Sequence, residues 1–230
     1  MKKVFFLSAV LVLAIWCVLK NDSYLSHYKN RTQKIQFIVV HSFALPVDEM
    51  IERLDNLSVS THYLIDETGQ IIQLVDDDKV AYHAGKSYWK GQTSLNEISI
   101  GIELQNKTLG QTPFSQKQIQ SFKKLTQKLM QKYNIPNENV VGHSDIAPTR
   151  KVDPGKMFPW RDLQIGPKDL EQGDILQKLV QIGYDTSNLK AAILAYNRHF
   201  HPELVSTDDD IFHMEENLQY FITDKNDIKQ

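Results

Sequence analysis

The stretch NEISIGIEL, Asn96–Leu104, alternates strictly between apolar and small or polar residues. Ile98, Ile100, Ile102 and Leu104 share one face of a strand, and Ser99, Gly101 and Glu103 share the other. One face can enter a core while the other presents a carboxylate with open space beside it at Gly101. Upstream, IQFIVV (Ile35–Val40) is a short β-branched run that reads as a buried strand ending at His41. His62–Ile65 and Gln70–Val75 flank Glu67-Thr68-Gly69 and predict a hairpin. Asn139–Gly142 is a further short strand, ending at His143. Helical spacing occurs at Val47–Leu57 and at Ser115–Tyr133, where Phe122, Leu125, Leu129 and Met130 face inward and Ser115 is the cap. Strands and helices interleave, so residues 35–165 form a mixed α/β domain.

Beyond this body, Ala147–Trp160 holds three prolines and a glycine and reads as an irregular, ordered loop. Gly166-Pro167 marks a boundary. Helical segments near Asp169–Gln181, Ser187–Phe200 and Asp208–Ile222 predict a small three-helix domain over residues 166–230. At the other end, residues 21–34 are polar and read as a tether. Lys2 and Lys3 precede Val4–Leu19, a 16-residue apolar run broken only by Ser8. This is the pattern of an export signal over residues 1–20, and it is short against the ~20 residues of a transmembrane helix. No small-x-small cleavage site follows, and Cys17, a lipid-acceptor candidate, is preceded by the bulky Trp16. Cleavage, lipidation and an uncleaved anchor stay open. Each places the body on the periplasmic side of a bacterial envelope, with any membrane contact made through the amino-terminal segment.

Composition narrows the classes. The 230 residues are 41% hydrophobic and 23% charged, as in globular proteins. With 26 basic and 28 acidic residues the net charge is −2, so a duplex nucleic-acid partner has little electrostatic footprint. One cysteine excludes an intramolecular disulfide and a cysteine-rich zinc module.

Three residues are candidate metal ligands: His41, His143 and Asp153. Each histidine closes a predicted strand, where a rigid backbone can fix a ligand at the mouth of a cleft. Two neutral imidazoles and one carboxylate would leave a zinc centre a single net positive charge and an open position for water. Spacing alone is weak support, because eight histidines offer many trios. Glu103 is a candidate acid–base, its pKa raised by partial burial. Lys151, two residues from Asp153 in an extended loop, would place an ammonium where an oxyanion develops.

The joint pattern resembles the zinc-dependent N-acetylmuramoyl-L-alanine amidases of the amidase-2 family, which are related to peptidoglycan recognition proteins. The pieces are IVVHSF (38–43), VSTHYLIDETGQIIQLV (59–75), AYHAGKSYWKG (81–91), ISIGIELQN (98–106) and NVVGHSDIAPTRKVDPGKMFPW (139–160). The resemblance implies a mixed central β-sheet flanked by helices and one zinc ion per chain, bound by His41, His143 and Asp153. It makes Glu103 and Lys151 the catalytic pair. Some relatives carry a tyrosine just before the histidine of the THY stretch; here that position is Thr61, which leaves the proton traffic to Glu103. The exported branch of the family, which joins a signal to a small helical domain, fits best.

Other residues have weaker claims. His83 and Trp89 would line the cleft, the indole offering a flat face to a sugar ring. Arg150 would pair with a substrate carboxylate. His62 reads as support for a zinc ligand, and His199 and His201 as helix-end capping rather than a second metal site. Residues 179–203 resemble a peptidoglycan-binding three-helix domain; the alternative is an appendage that only packs on the amidase body. Three functions follow. The first is a hydrolase cutting between N-acetylmuramic acid and L-alanine in peptidoglycan or muropeptides by zinc-activated water. The others are a non-catalytic recognition module and a zinc peptidase cutting within the stem peptide.

Overall fold

The computed structural model describes residue 25 and residues 27–206. In chain order it runs β1 (Tyr28–Asn30), β2 (Phe37–Phe43), α1 (Val47–Asn56), β3 (Tyr63–Ile65), β4 (Ile71–Gln73), β5 (Lys79–Ala81), α2 (Leu95–Ile98) and β6 (Ser99–Gln105). Then follow α3 (Gln116–Tyr133), β7 (Val140–Gly142), α4 (His143–Ile146), α5 (Trp160–Leu163), α6 (Ile175–Ile182) and α7 (Leu189–Phe200). Five strands make a mixed sheet in the order β4-β3-β6-β2-β7, antiparallel only between β3 and β4. The expected hairpin is β3–β4, its turn closed by the Asp66 carboxylate, which accepts from the N–H groups of Thr68 and Gln70.

β6 lies between β3 and β2 and is covered on both faces. One face joins Ile38, Val40, Ile100, Ile102 and Leu104 to Phe122, Leu125 and Leu129 of α3. Ser115 caps α3 as expected, its side chain accepting from the Gln118 N–H. The other face packs Phe37, Val39 and Val141 against Trp89, Leu95 and Ile98, and against Leu179, Ile182, Ala192 and Ala195 of α6 and α7. Three readings need correction. Residues 95–98 form a helical turn, so the strand begins at Ser99 and Ile98 belongs to the second face rather than to that of Ile100. β2 does not end at His41 but runs on to Phe43. The face carrying Glu103 is not open: Glu103 is buried, and the ring of His83 fills the space at Gly101.

The polar segment read as a tether is docked where it is described. β1 pairs with β5, and the Arg31 guanidinium donates to the carbonyls of Asp77, Glu97, Lys79 and Ser99. A run of carbonyls left unpaired at strand ends attracts a planar cation, and polarity in the sequence does not distinguish this from solvation. Beyond Gly166-Pro167, α6 starts at Ile175, capped by Asp174. Both α6 and α7 share an apolar cluster with the sheet. The predicted segment Asp208–Ile222 and the export signal with Cys17 lie outside the described residues. Among the described residues, no helix is long and apolar enough to cross a membrane.

Candidate metal centre

The centre lies at the carboxyl ends of the parallel strands, where β2 and β6 place His41 opposite Glu103 in register. β7 delivers His143 at the first position of α4. The proline-rich loop brings back Asp153, and the Ser144 N–H donates to the Asp153 carbonyl at 2.8 Å, tying the two ligand segments together. Gly110 is required beside this loop: at φ +76° its position for a Cβ falls 1.8 Å from the Pro154 carbonyl oxygen.

Three atoms converge. His41 Nδ1 and His143 Nδ1 are 2.9 Å apart, and Asp153 Oδ2 is 3.2 Å from the first and 3.1 Å from the second. The far ring nitrogens are engaged elsewhere. His143 Nε2–H donates to the Ala84 carbonyl at 3.2 Å, and His41 Nε2–H donates to His83 Nδ1 at 3.1 Å. These partners fix both tautomers with the Nδ1 lone pairs facing inward. Two lone pairs and a carboxylate aimed at one point repel one another until a cation joins them. A tetrahedral zinc with bonds of about 2.0–2.1 Å spaces its ligands about 3.3 Å apart, so the trio fits the ion after shifts of a few tenths of an ångström.

Electrostatics set the protonation states this needs. Burial pushes the His143 imidazole down to about 3. Burial alone would raise Asp153, but the adjacent His143 and His41 hold it well below the usual carboxylate range. Glu103 is 8% exposed, and its Oε2 is buried without a hydrogen-bond partner among the described residues. Burial raises its pKa to about 7, against the opposing pull of His41 and Lys151. Burial lowers the Lys151 ammonium, which Asp153 and Glu103 partly hold up. A carboxyl that can both take and give a proton near neutrality thus lies beside an ammonium and a cation-binding trio.

The three residues expected at the substrate are placed otherwise. His83 sits against His41, rings edge-on at 5.1 Å, and its Nε2–H donates to Ser99 Oγ, which passes its own proton to the Leu95 carbonyl. Both ring nitrogens are thereby engaged within the protein, by His41 and by Ser99. The space at Gly101 belongs to this ring, since a Cβ there would lie 2.5 Å from His83 Cγ. His62 supports the row from below, accepting from the Gly101 N–H and held neutral by burial, its pKa lowered to about 3. Trp89 is 0% exposed and packs edge-on against Tyr184 at 4.8 Å; it is core and offers no face to a sugar. Arg150 donates to the carbonyls of Ala84 and Lys86, which makes it a clamp on the 84–86 loop. Sequence reasoning missed Asn96, whose Oδ1 accepts from the N–H groups of His83 and Ala84, and Asp145, the buried centre of a separate network. Asp145 lies inside the quoted GHSDIAP stretch, which was the only signal for it.

A mixed sheet carrying a His-His-Asp centre with a buried carboxyl and ammonium beside it defines a hydrolytic type of site. The chain belongs to the N-acetylmuramoyl-L-alanine amidase family, whose model matches residues 31–156. It is 31% identical to N-acetylmuramoyl-L-alanine amidase AmiD of Escherichia coli K12, over 91% of this chain and 94% of that protein. The solved complex of Escherichia coli AmiD with the substrate anhydro-N-acetylmuramic acid-L-Ala-D-gamma-Glu-L-Lys is similar at TM-score 0.66 and 32% identity, covering 84% of this chain and 91% of that one. AmpDh3 of Pseudomonas aeruginosa in complex with anhydromuramic pentapeptide is similar at TM-score 0.66 and 27% identity, covering 88% and 99%.

Proposed function

We propose that this chain hydrolyses the amide between the lactyl group of N-acetylmuramic acid and L-alanine of the stem peptide, in peptidoglycan or in muropeptides released from it. The observation that carries the reading is the convergence of His41 Nδ1, His143 Nδ1 and Asp153 Oδ2 within hydrogen-bond distances, beside a buried, unpartnered Glu103. The muropeptide ligands of the two similar structures support the substrate class.

His41, His143 and Asp153 would hold one zinc ion per chain, and zinc there supplies a Lewis acid for the scissile carbonyl and for water. Glu103 takes the proton of the attacking water at Oε2 as the C–O bond forms. It returns that proton to the amide nitrogen as the C–N bond breaks, so the amine of L-alanine leaves neutral. Lys151 places its ammonium at the oxyanion that forms between these steps. His83 and Ser99 keep His41 in the tautomer that faces the ion. Among the described residues, Asp153 is the carboxylate whose charge acts on Glu103, and the ion would engage it, which argues against a two-carboxyl glycosidic mechanism. The apolar run Val4–Leu19 after two lysines supports export to the envelope, where the polymer resides.

A digest of purified muropeptides analysed by mass tests the reading. Release of a peptide beginning with L-alanine is expected. Cleavage inside the stem peptide, or binding of muropeptide by zinc-loaded protein without turnover, would replace it with the peptidase or the recognition module.

A further inference from the structure

The carboxyl-terminal helices reach the metal centre through one buried carboxylate. Asp145 stands two residues after His143 in α4 and is 1% exposed. Its Oδ2 accepts from the Gly142 N–H at 2.7 Å and from His199 Nδ1–H on α7 at 2.8 Å. Its Oδ1 accepts from the Tyr184 hydroxyl, just past the end of α6, at 2.7 Å. The two outer donors are themselves wedged. The His199 ring stacks on Trp160 with centroids 4.2 Å apart and planes 13° from parallel, and Tyr184 is packed against Trp89.

α4 is a four-residue turn, too short to hold its own shape, since helix nucleation is unfavourable. The direction of His143 is therefore set by what grips the turn from outside. On one side the grip is the backbone of Gly142, the Asp153 carbonyl, the Tyr88 N–H on the Ile146 carbonyl and the Ala84 carbonyl on the His143 ring. On the other it is Tyr184 and His199. A buried carboxylate deprived of a donor moves toward water or another donor, because its desolvation is no longer compensated. Here such a movement displaces His143 and, through the Ser144–Asp153 bond, a second ligand. An appendage that only covered apolar surface would need none of these bonds.

We propose that the α6–α7 pair is a positioning device for the metal centre, with Tyr184 and His199 as positioning residues that act on His143 through Asp145. The inference rests on the reading of His143 as a zinc ligand. It gives the pair a role inside the catalytic body that does not depend on contact with glycan.

The test uses the full chain and zinc alone as the probe. Zinc affinity is measured by competition with a chromophoric chelator, ligand geometry by the visible spectrum of the cobalt-substituted protein, and folding by the thermal midpoint of the metal-free form. Tyr184→Phe and His199→Ala are expected to weaken zinc binding by up to about 10-fold, the lower end of the cost of losing a direct partner of a ligand because they act one bond further out, and to alter the cobalt spectrum. His199→Asn, whose amide N–H can stand where Nδ1–H stood, should recover most of the affinity. Val180→Ala, on the exposed side of α6, should change nothing. Wild-type zinc affinity and cobalt spectrum in folded Tyr184→Phe and His199→Ala overturn the inference; should His199→Ala fail to fold, Tyr184→Phe decides alone. A wild-type chain that binds no zinc overturns the metal reading and this inference with it, whereas wild-type binding matched by the variants overturns the inference only.

Discussion

Replacing Glu103 by glutamine should stabilise the metal-free protein while removing its chemistry. The side chain is buried, Oε2 has no hydrogen-bond partner among the described residues, and burial holds its proton up to about 7. The native state therefore binds this proton more tightly than the unfolded chain does. The contribution of the protonated carboxyl to stability is complete below about 4.5 and is lost as pH rises through about 7. The interval from 4.5 to about 7 corresponds to about 3 kcal/mol at about 1.36 kcal/mol per pH unit. Glutamine has the shape of the protonated acid and stays neutral, so Glu103→Gln avoids this loss. Groups distant from Glu103 titrate alike in both proteins and cancel, whereas Lys151 loses the support of the Glu103 charge in the variant, which trims the gain. For a chain of this size about 3 kcal/mol is a rise of roughly 6–12 °C in thermal midpoint at pH 8, shrinking to nothing near pH 4.5. Thermal unfolding of both proteins in a chelator, from pH 4.5 to 8.5, measures it. Parallel pH profiles, or a variant less stable at pH 8, would refute the buried-carboxyl argument. In the zinc-loaded protein the same substitution should keep the metal and lower turnover by about 10²–10⁴; near-normal turnover would remove Glu103 from the proton traffic.

Asp153→Ala should lose both zinc and activity, read by metal analysis and a muropeptide digest; full activity in a metal-free Asp153→Ala preparation would eliminate the zinc mechanism. Gly101→Ala drives a methyl into the His83 ring and should weaken zinc by about 10-fold or more through His41, as loss of an outer partner does; chelator competition reports it, and unchanged affinity would show that His83 does not orient the ligand. Trp89→Ala should cost about 3–5 kcal/mol in denaturant unfolding, as for a buried aromatic, with KM for muropeptide unchanged in the folded enzyme. A large rise in KM with little loss of stability would restore Trp89 to the substrate cleft.

Local pattern carried the parts of the molecule whose causes are local. The alternation of Ile100, Ile102 and Leu104, the cap at Ser115 and the turn after Asp66 formed as read, and the β-branched run before His41 forms a strand that extends two residues further. The convergence of His41, His143 and Asp153 was legible because the two histidines lie in or follow short strands and because the motifs, the loop carrying Asp153 included, resemble one family in order and spacing. What failed depended on distant chain. Trp89 sits in a turn, and nothing within ten residues shows that Tyr184, far along the chain, will pack against it. The space at Gly101, read as open beside Glu103, is filled by a ring from residue 83. Asp145, in the same stretch as His143, had no visible purpose until α6 and α7 supplied Tyr184 and His199. The boundary at Gly166-Pro167 is a change of composition, and the helices beyond it nonetheless bury their apolar faces in the body's own core.

The coordination of zinc in the full-length protein tests the account most directly. X-ray absorption at the zinc edge, with metal stoichiometry on the same sample, should give one zinc per chain bound by two imidazoles and oxygen ligands, with no sulfur. A chain that takes up no zinc, or a zinc with fewer than two imidazoles around it, would contradict the claim that His41, His143 and Asp153 are assembled by this fold to hold one ion.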